Sequence, residues 1–414
     1  MFSIRSLSLA LLTLALCACA PKTMTANPEQ PYPLTEKPQV GQIVHLPTGV
    51  LVDEARMQAI AGDARIVYVG ETHDNPASHR QQVALLRALA ERHPGKIALG
   101  MEMFVPSQQP ILDRWSAGEL SEKEFLKESR WYETWRMDFD YYRELLELAR
   151  ELRIPVLGLN AEKSLVAAVR AKPTAELTEE EQRQVPEMDL ADPYQKAMTE
   201  AILGDHGKHG AISADGFHRV QTLWDETMAA SVVRYLSDPD HGEHRLMVVA
   251  GGNHVRYGFG IPRRVFRRLP TSYVLVGSTE IVVPEDKKDR LMDVKKPKFP
   301  MVPYDFLLFT EYEDLGKQEV KLGVMLGEGE EGVVVEGVMP ASVGETAGLQ
   351  KGDRILAIDN EPVAENFDLI FEVKRKKPGD RSTLKIQRGE KELDVPVEFV
   401  LPPAGDPHGG MPKK

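Results

Sequence analysis

The chain has 414 residues, of which 42% are hydrophobic and 28% are charged, with a formal net charge of −12 at pH 7. This composition is that of folded, water-soluble domains and excludes collagen-like, low-complexity and polytopic membrane proteins. The acidic balance argues against a nucleic-acid backbone as the main partner. The only cysteines are Cys17 and Cys19. The folded part therefore has no disulfide, thiolate nucleophile or thiolate metal site.

The N-terminus has the pattern of an export signal. Arg5 precedes an apolar run at 7–16, which is too short to span a bilayer. The run ends in the letters LCAC, which resemble the lipobox of bacterial lipoproteins. We predict that residues 1–18 are a signal peptide and that Cys19 carries the lipid, since the large leucine before Cys17 fits a lipobox poorly.

Residues 19–40 are rich in proline and threonine, which predicts a flexible tether. Ala20 lacks the aspartate that often retains lipoproteins in the inner membrane, so we expect an anchor in the outer membrane of a bacterial envelope. Soluble export after Ala20 is the alternative.

Residues 41–285 alternate between apolar runs and segments of helical periodicity. Strands are predicted at 65–70, 96–104, 154–160, 245–252 and 272–278, and helices at 76–92, 139–152, 163 onward and 216–235. Such alternation predicts a mostly parallel sheet flanked by helices, that is, an α/β fold.

The rest of the chain differs in character. Residues 286–316 are rich in lysine, aspartate and proline, which predicts a linker. Residues 317–400 contain short β-branched runs, glycine-rich turns and one helical segment, which predicts a small β-rich domain. Residues 401–414 are predicted as a tail.

Polar residues follow the predicted parallel strands. Glu71 and His73 follow the first strand, Glu102 and Asn160 the next two, and His254 a late one. The carboxyl ends of parallel strands meet at one edge, where open α/β sheets bind ligands. Imidazole and carboxylate are natural ligands of zinc, manganese and iron. The sequence therefore predicts a ligand site here, and leaves open whether the site is catalytic.

Several enzyme classes are excluded by their missing motifs. The chain has no Gly-x-Ser-x-Gly elbow, P-loop or His-Glu-x-x-His sequence. Two further candidates for the site are His218, at the start of a predicted helix, and Tyr257, three residues after His254. Structural roles remain open for both.

Several motifs in residues 41–285 resemble the ChaN-like haem-binding lipoproteins of the Tiki superfamily. These motifs are GETHDNPASHRQQ, GMEMF, LGLNA, QTLWDETMA and GGNHVRYGFGIPRR. The resemblance implies haem bound at a site shared between two subunits, a tyrosine–iron bond and a role in iron acquisition. Tyrosinate is a known haem ligand.

Carried onto this sequence, the resemblance implies specific roles. Tyr257 would be the iron ligand, supported by His254, His73 and His218. A separate pair, Arg263 and Arg264, would bind the haem propionates.

The C-terminal block resembles a PDZ domain of the type that accompanies bacterial proteases. Leu322, Gly323 and Val324 match the carboxylate-binding loop, and GLQKGDRILAIDNEPV matches the central signature. The resemblance implies a peptide partner that adds a strand and is held by its terminal carboxylate. A structural or dimerising module that binds no free peptide is the alternative.

Two other functions stay open. The wider superfamily includes metal-dependent peptidases and resembles erythromycin esterases. In that hypothesis Glu71, His73, Glu102 and His254 hold zinc or manganese, and Glu71 or Glu102 is the general base for a metal-bound water. In the third hypothesis the PDZ domain recruits a partner and the α/β site is vestigial.

Overall fold

The computed structural model describes residues 27, 29–206, 213–290, 294, 297–316, 318–328 and 332–401. The predicted signal peptide, Cys17, Cys19 and nearly all of the predicted tail lie outside these residues. The chain forms two compact units. Unit 1 comprises Met1–Ala117 and Tyr141–Tyr312, and unit 2 comprises Gly118–Asp140 and Glu313–Lys414.

Unit 1 is built on an eight-stranded sheet with the order β2-β1-β8-β7-β3-β6-β4-β5. Its strands are β1 (Ile43–His45), β2 (Val50–Val52), β3 (Ile66–Glu71), β4 (Ile97–Met101), β5 (Val156–Gly158), β6 (Arg245–Gly251), β7 (Tyr273–Val282) and β8 (Phe306–Glu311). The pairs from β8 to β5 are parallel, and β1 is antiparallel to both β2 and β8. The predicted mostly parallel α/β sheet is confirmed.

Along the chain, helices lie between these strands, and the two within 118–140 belong to unit 2. The helices are α1 (Glu54–Ala61), α2 (Pro76–Arg92), α3 (Gln109–Ser116), α4 (Glu122–Glu128), α5 (Trp131–Thr134), α6 (Arg143–Glu151), α7 (Lys163–Ala171), α8 (Glu179–Gln184), α9 (Pro193–His206), α10 (Ala214–Leu236), α11 (Gly252–Val255) and α12 (Ile261–Arg268). Asn75 caps α2 by accepting a hydrogen bond from the amide of Ala77, and Pro76 occupies the first helical position, which suits its fixed φ. Within the described ranges, no helix is long and apolar enough to cross a membrane.

The core of unit 1 lies on the faces of the sheet. Every residue of β3 and β4 is buried, because helices cover both faces of a parallel sheet. On one side, Met228 and Val232 of α10 and Val265 of α12 belong to the same apolar cluster as Tyr68 and Val248 of the central strands.

The segment predicted as a linker contains a strand. β8 lies within 286–316 and pairs with both β7 and β1. Its residues Phe306 and Phe309 are buried, as is the preceding Tyr304. The lysine- and proline-rich stretch before β8 obscured this apolar run, so unit 1 extends to Tyr312 rather than 285.

Unit 2 contains a second, antiparallel sheet with the order β14-β13-β11-β10-β9, and β12 pairs with β11. Its elements are β9 (Val324–Glu328), β10 (Val333–Val338), α13 (Val343–Thr346), β11 (Arg354–Ile358), β12 (Glu361–Pro362), α14 (Asn366–Lys374), β13 (Arg381–Arg388) and β14 (Lys391–Glu398). The predicted small β-rich domain is confirmed.

A distant segment completes unit 2. Helices α4 and α5 lie in 118–140, yet they contact α14 and the residue before it. The Nζ atom of Lys127 is 2.7 Å from Oε1 of Glu365, and the Nζ atom of Lys123 is 3.4 Å from Oε1 of Glu372. The sequence pattern placed 317–400 alone in this domain, because it carries no signal for contacts between residues some 240 positions apart.

Candidate functional site

The first group of polar side chains lies at the carboxyl end of β3. The Nδ1 atom of His73 is 2.7 Å from Oε1 of Glu71, whose side chain is fully buried. Tyr142 donates a hydrogen bond of 2.7 Å to the same oxygen. Gln82 donates one to the other carboxylate oxygen. The carboxylate of Glu71 thus orients the imidazole of His73, whose side chain is 36% exposed.

The charge state of Glu71 follows from its neighbours. Burial alone would raise the pKa of Glu71, but the imidazoles of His79 and His73 outweigh burial and lower it to about 2. The carboxylate is therefore ionised and only accepts hydrogen bonds. Burial lowers the pKa of His73, but Glu71 outweighs it and the pKa is raised overall.

The second group connects β4, β6 and α10. The Nδ1 atom of His254 is 2.7 Å from Oδ1 of Asp225, and its Nε2 atom is 3.5 Å from Oε1 of Glu102. The amide of Gly251 donates to Oε2 of Glu102 at 2.7 Å. Burial opposes the charge on His254, but the carboxylates of Glu102 and Asp225 prevail and raise its pKa to about 9. At neutral pH His254 is a buried imidazolium.

The two groups meet at Gly251. A Cβ added to this glycine would be 2.8 Å from Nε2 of His73 and 3.5 Å from Oε2 of Glu102. The structure therefore places Glu71, His73, Glu102 and His254 at one edge of the sheet. Asn160 also belongs there, since its amide donates to the carbonyl of Glu102 at 3.1 Å.

These side chains form hydrogen-bonded acid–imidazole pairs rather than a metal-ligand set. Among the residues that the structure describes, no group of three or more His, Cys, Asp or Glu side chains has the arrangement to hold a metal ion. Both nitrogens of His254 already face carboxylates. The zinc or manganese hypothesis gains no support from this geometry.

Tyr257 lies in an aromatic cluster. Its ring stacks on Phe259 with centroids 5.3 Å apart and contacts Phe299 at 4.9 Å. The side chain is buried, and its hydroxyl donates a hydrogen bond to Glu29. Burial raises the pKa of Tyr257, Glu29 raises it further, and the guanidinium of Arg256 opposes both. The contacts of Tyr257 are thus distinct from those of His254.

His218 and Arg263 contact the residues around α9. The Nδ1 atom of His218 is 3.0 Å from Oγ1 of Thr199, and its Nε2 atom is 3.2 Å from the carbonyl oxygen of Leu190. Arg263 forms an ion pair of 2.9 Å with Asp189. None of these described contacts brings either residue to the edge that holds His73.

Arg264 does not have the surroundings that propionate binding requires. Its side chain is fully buried, and its Nε atom is 3.1 Å from Oε1 of Glu226. It also donates hydrogen bonds to the carbonyl of Gly260 and to the side chain of Gln195. A buried arginine needs such partners, and these contacts leave no exposed surface for a propionate.

Several residues of the site carried no clear sequence signal. Tyr142 occupies the apolar face of its predicted helix and is fully buried, so its hydroxyl contact was not foreseen. Gln82 lies in the middle of α2. Asp225 and Glu226 interrupt an otherwise apolar face of α10. Acidic residues are seldom buried, so their position on the apolar face of a predicted helix was the available sequence signal.

The loop predicted to bind a peptide carboxylate begins the edge strand of unit 2. Gly323 has φ +71, and a Cβ there would be 2.3 Å from Cβ of Ser342. The carbonyl of Leu322 accepts a hydrogen bond of 2.7 Å from the amide of Gly344. Val324 then starts β9, which pairs with β10 on one side. An edge strand of this kind accepts an added peptide strand.

A family model described as haem-binding uptake, Tiki superfamily, ChaN matches residues 57–265, just over half of the chain. The chain belongs to this family. A model of the PDZ domain matches residues 320–399. The protein is therefore a ChaN-family chain with a C-terminal PDZ domain, and both resemblances seen in the sequence are confirmed.

The solved structures include one of the ChaN family, described as "Cofacial heme binding to ChaN of Campylobacter jejuni". It is 17% identical to this chain, with a TM-score of 0.51, and the match covers 68% of this chain and 100% of the other. At this identity the likeness shows the α/β fold shared by the two ChaN proteins.

Two proteases share short regions with this ChaN-family chain. A probable periplasmic serine endoprotease, DegP-like, from Hahella chejuensis (strain KCTC 2396) is 36% identical over 75 residues, which are 18% of this chain and 16% of the protease. This chain thus spans about a sixth of that relative's length. The solved HtrA-type protease AlgW with decapeptide is 27% identical, with a TM-score of 0.20, over 20% of this chain and 30% of the other.

Proposed function

We propose that unit 1 binds haem through Tyr257 and that the protein serves haem or iron acquisition in a bacterial envelope. Membership of the haem-binding uptake family supports this function. The observation that carries it in the structure is a phenol with aromatic neighbours and an adjacent guanidinium, Arg256.

The donor set fits haem. Bound haem supplies a ferric iron, which accepts a phenolate oxygen, together with an apolar ring face and two propionates. Tyr257 would supply the oxygen, and the positive charge of Arg256 partly offsets the rise in the Tyr257 pKa that burial and Glu29 cause. Phe259 and Phe299 are buried and make the surroundings of the Tyr257 ring apolar. Arg263 keeps a half-exposed side chain in its ion pair with Asp189 and remains the candidate for a propionate.

The test is a haem titration followed by visible absorption. Tyr257→Phe keeps the ring and removes the oxygen, so we expect haem affinity to fall at least tenfold and the spectrum to change. The matched control is Tyr194→Phe, since Tyr194 also stacks on Phe259, at 5.2 Å. Unchanged haem binding in Tyr257→Phe would contradict the ligand assignment.

A hydrolytic function has one observation in its favour. An imidazole whose Nδ1 atom is held by a buried carboxylate, as in His73 and Glu71, is the arrangement of a general base. If His73 is instead a metal ligand, as the metal-dependent alternative from the sequence holds, His73→Ala should remove a stoichiometric metal, measured by elemental analysis of the purified protein. That result, together with unaltered haem binding by Tyr257→Phe, would replace haem binding by metal-dependent hydrolysis.

For unit 2 we propose peptide or protein recruitment at β9. The PDZ match and the left-handed glycine at the start of an edge strand support this function. We also propose lipidation at Cys19, an outer-membrane location and, from the family resemblance, a homodimer that shares the haem site. Light scattering with and without haem tests the dimer.

A further inference from the structure

The N-terminal segment of the described chain reaches the proposed iron ligand. Glu29 precedes Tyr257 by 228 residues and lies in the stretch predicted as a flexible tether, yet its carboxylate accepts the hydrogen bond of the Tyr257 hydroxyl. Two other residues of this segment, Tyr32 and Leu34, contact other parts of unit 1. Leu34 packs against the core cluster of the sheet. Tyr32 lies so close to Gly49 that a Cβ there would be 2.6 Å from its carbonyl oxygen.

The backbone of Tyr257 is held in an uncommon conformation. Its φ of +60° lies in the left-handed region, which a residue with a side chain seldom adopts. Its amide donates a hydrogen bond of 2.8 Å to the carbonyl of Pro303. The loop thus fixes the phenol where Glu29 meets it, and the side chain is only 7% exposed.

The hydrogen bond and an iron bond make opposite demands on the same oxygen. In the hydrogen bond, the hydroxyl keeps its proton and shares it with a carboxylate, which is a strong, charge-assisted contact. In an iron bond the oxygen has lost that proton, and the resulting phenolate would face the negative charge of Glu29 with no proton between them. Tyr257 therefore cannot donate its hydrogen bond to Glu29 while its oxygen is bound to iron.

We propose that residues 29–34 form a strap that competes with haem for Tyr257, with Glu29 as the internal competitor. This inference rests on the proposed function, since it assumes that Tyr257 is the iron ligand. Haem binding releases the strap, and the closed strap lowers haem affinity. The two effects are linked, because the binding of a ligand that breaks a contact is weakened by the free energy of that contact.

The test compares full-length variants in a haem titration. Glu29→Ala removes the acceptor, so we expect haem to bind roughly tenfold more tightly, the ratio that one charge-assisted hydrogen bond supplies. Glu29→Gln retains a neutral and weaker acceptor, so its gain is smaller. The control is Glu36→Ala, an exposed glutamate of the same N-terminal stretch, which should bind haem like the unaltered chain.

Hydrogen exchange supplies a readout that is independent of affinity. Adding haem to the unaltered chain should speed amide exchange in the strap, and Glu29→Ala should show faster exchange before haem is added. Suppose that Tyr257→Phe weakens haem binding, as the ligand assignment predicts. The strap proposal is then overturned if both Glu29 variants bind haem no more tightly than the unaltered chain, or if haem does not alter amide exchange in the strap. If Tyr257→Phe binds haem normally, the ligand assignment itself fails, and the competition fails with it.

Discussion

The imidazole of His73 occupies the space that a side chain on Gly251 would need. A Cβ added there would be 2.8 Å from Nε2 of His73, a distance that real Cβ atoms do not tolerate. Gly251 has a φ of −52°, which any residue adopts, so this glycine serves close approach rather than a special turn. It lets residues at the ends of β3, β4 and β6 come together.

The first prediction follows from this contact. Gly251→Ala should move the His73 ring away from Glu102 and destabilise the protein by about 1–3 kcal/mol, as overpacking does. Gly204→Ala is the control, because Gly204 lies in α9 with nothing within 4 Å of the added Cβ. It should stabilise the protein by about 0.5–1 kcal/mol through helix propensity. Thermal unfolding measures the stability of both variants, and equal changes in stability would contradict the close contact between Gly251 and His73.

The second prediction concerns the hydroxyl of Tyr142. Together with the neighbouring imidazoles, it helps to hold the pKa of Glu71 near 2, so Tyr142→Phe should raise that pKa. A depressed carboxylate pKa stabilises the fold above the ordinary value of 4.5, and this contribution is lost as pH falls from 4.5 towards 2. The variant should lose about 1 kcal/mol and unfold in acid at a higher pH.

Acid titration followed by circular dichroism measures this shift. The control is Tyr32→Phe, because Tyr32 is an exposed residue, with 60% of its surface accessible. An acid transition of Tyr142→Phe that coincides with that of the unaltered chain would show that the hydroxyl does not stabilise the Glu71 carboxylate.

The third prediction is a loss of stability in alkali. The charged and titratable groups that face His254 are Glu102, Asp225, His73 and Arg264. Because its folded pKa is raised to about 9, the stabilisation is complete below the unfolded value of 6.5 and is lost as pH rises from 6.5 to 9.

Urea unfolding between pH 6 and pH 10 measures this loss, which should be on the order of a few kcal/mol. Asp225→Asn should flatten the dependence, because it removes one of the carboxylates that raise the pKa. An NMR titration that places His254 near its ordinary value would refute the buried imidazolium.

The fourth prediction tests the peptide groove with full-length protein. Peptides with apolar C-termini should bind, and amidation of the terminal carboxylate should weaken binding severalfold. Gly323→Ala should abolish binding, because the added Cβ would collide with Ser342 at a φ of +71. Gly348→Ala is matched in backbone strain, with φ +77 and nothing within 4 Å, and should bind. Fluorescence anisotropy distinguishes these cases, and equal binding of free-acid and amidated peptides would contradict the groove assignment.

The fifth prediction concerns the anchor. Cys19→Ser should abolish lipid labelling and release the protein from membranes, whereas Cys17→Ser should be labelled normally. Metabolic labelling with a fatty acid and fractionation of the envelope measure both. Loss of labelling in Cys17→Ser would show that Cys17 carries the lipid and that the signal peptide is cleaved two residues earlier.

Local patterns were sufficient for the central parallel strands of unit 1 and for one edge of its sheet, but not for β1, β2 and β8. Apolar runs and helical periodicity are properties of adjacent residues, so they located β3, β4, β6 and α10. Parallel strands then place Glu71, Glu102 and His254 at a common edge, since the carboxyl ends of such strands coincide. The family motifs led to the prediction that haem is the ligand.

Contacts between distant residues were decided by the tertiary structure alone. The sequence does not show that Glu29 meets Tyr257, that Tyr142 meets Glu71, or that Lys127 meets Glu365. It also did not distinguish an arginine that binds a ligand from one neutralised by a buried glutamate, as Arg264 is by Glu226. The physical reason is that burial and hydrogen-bond partners are set by how separate elements pack, and neither periodicity nor motif spacing specifies that packing.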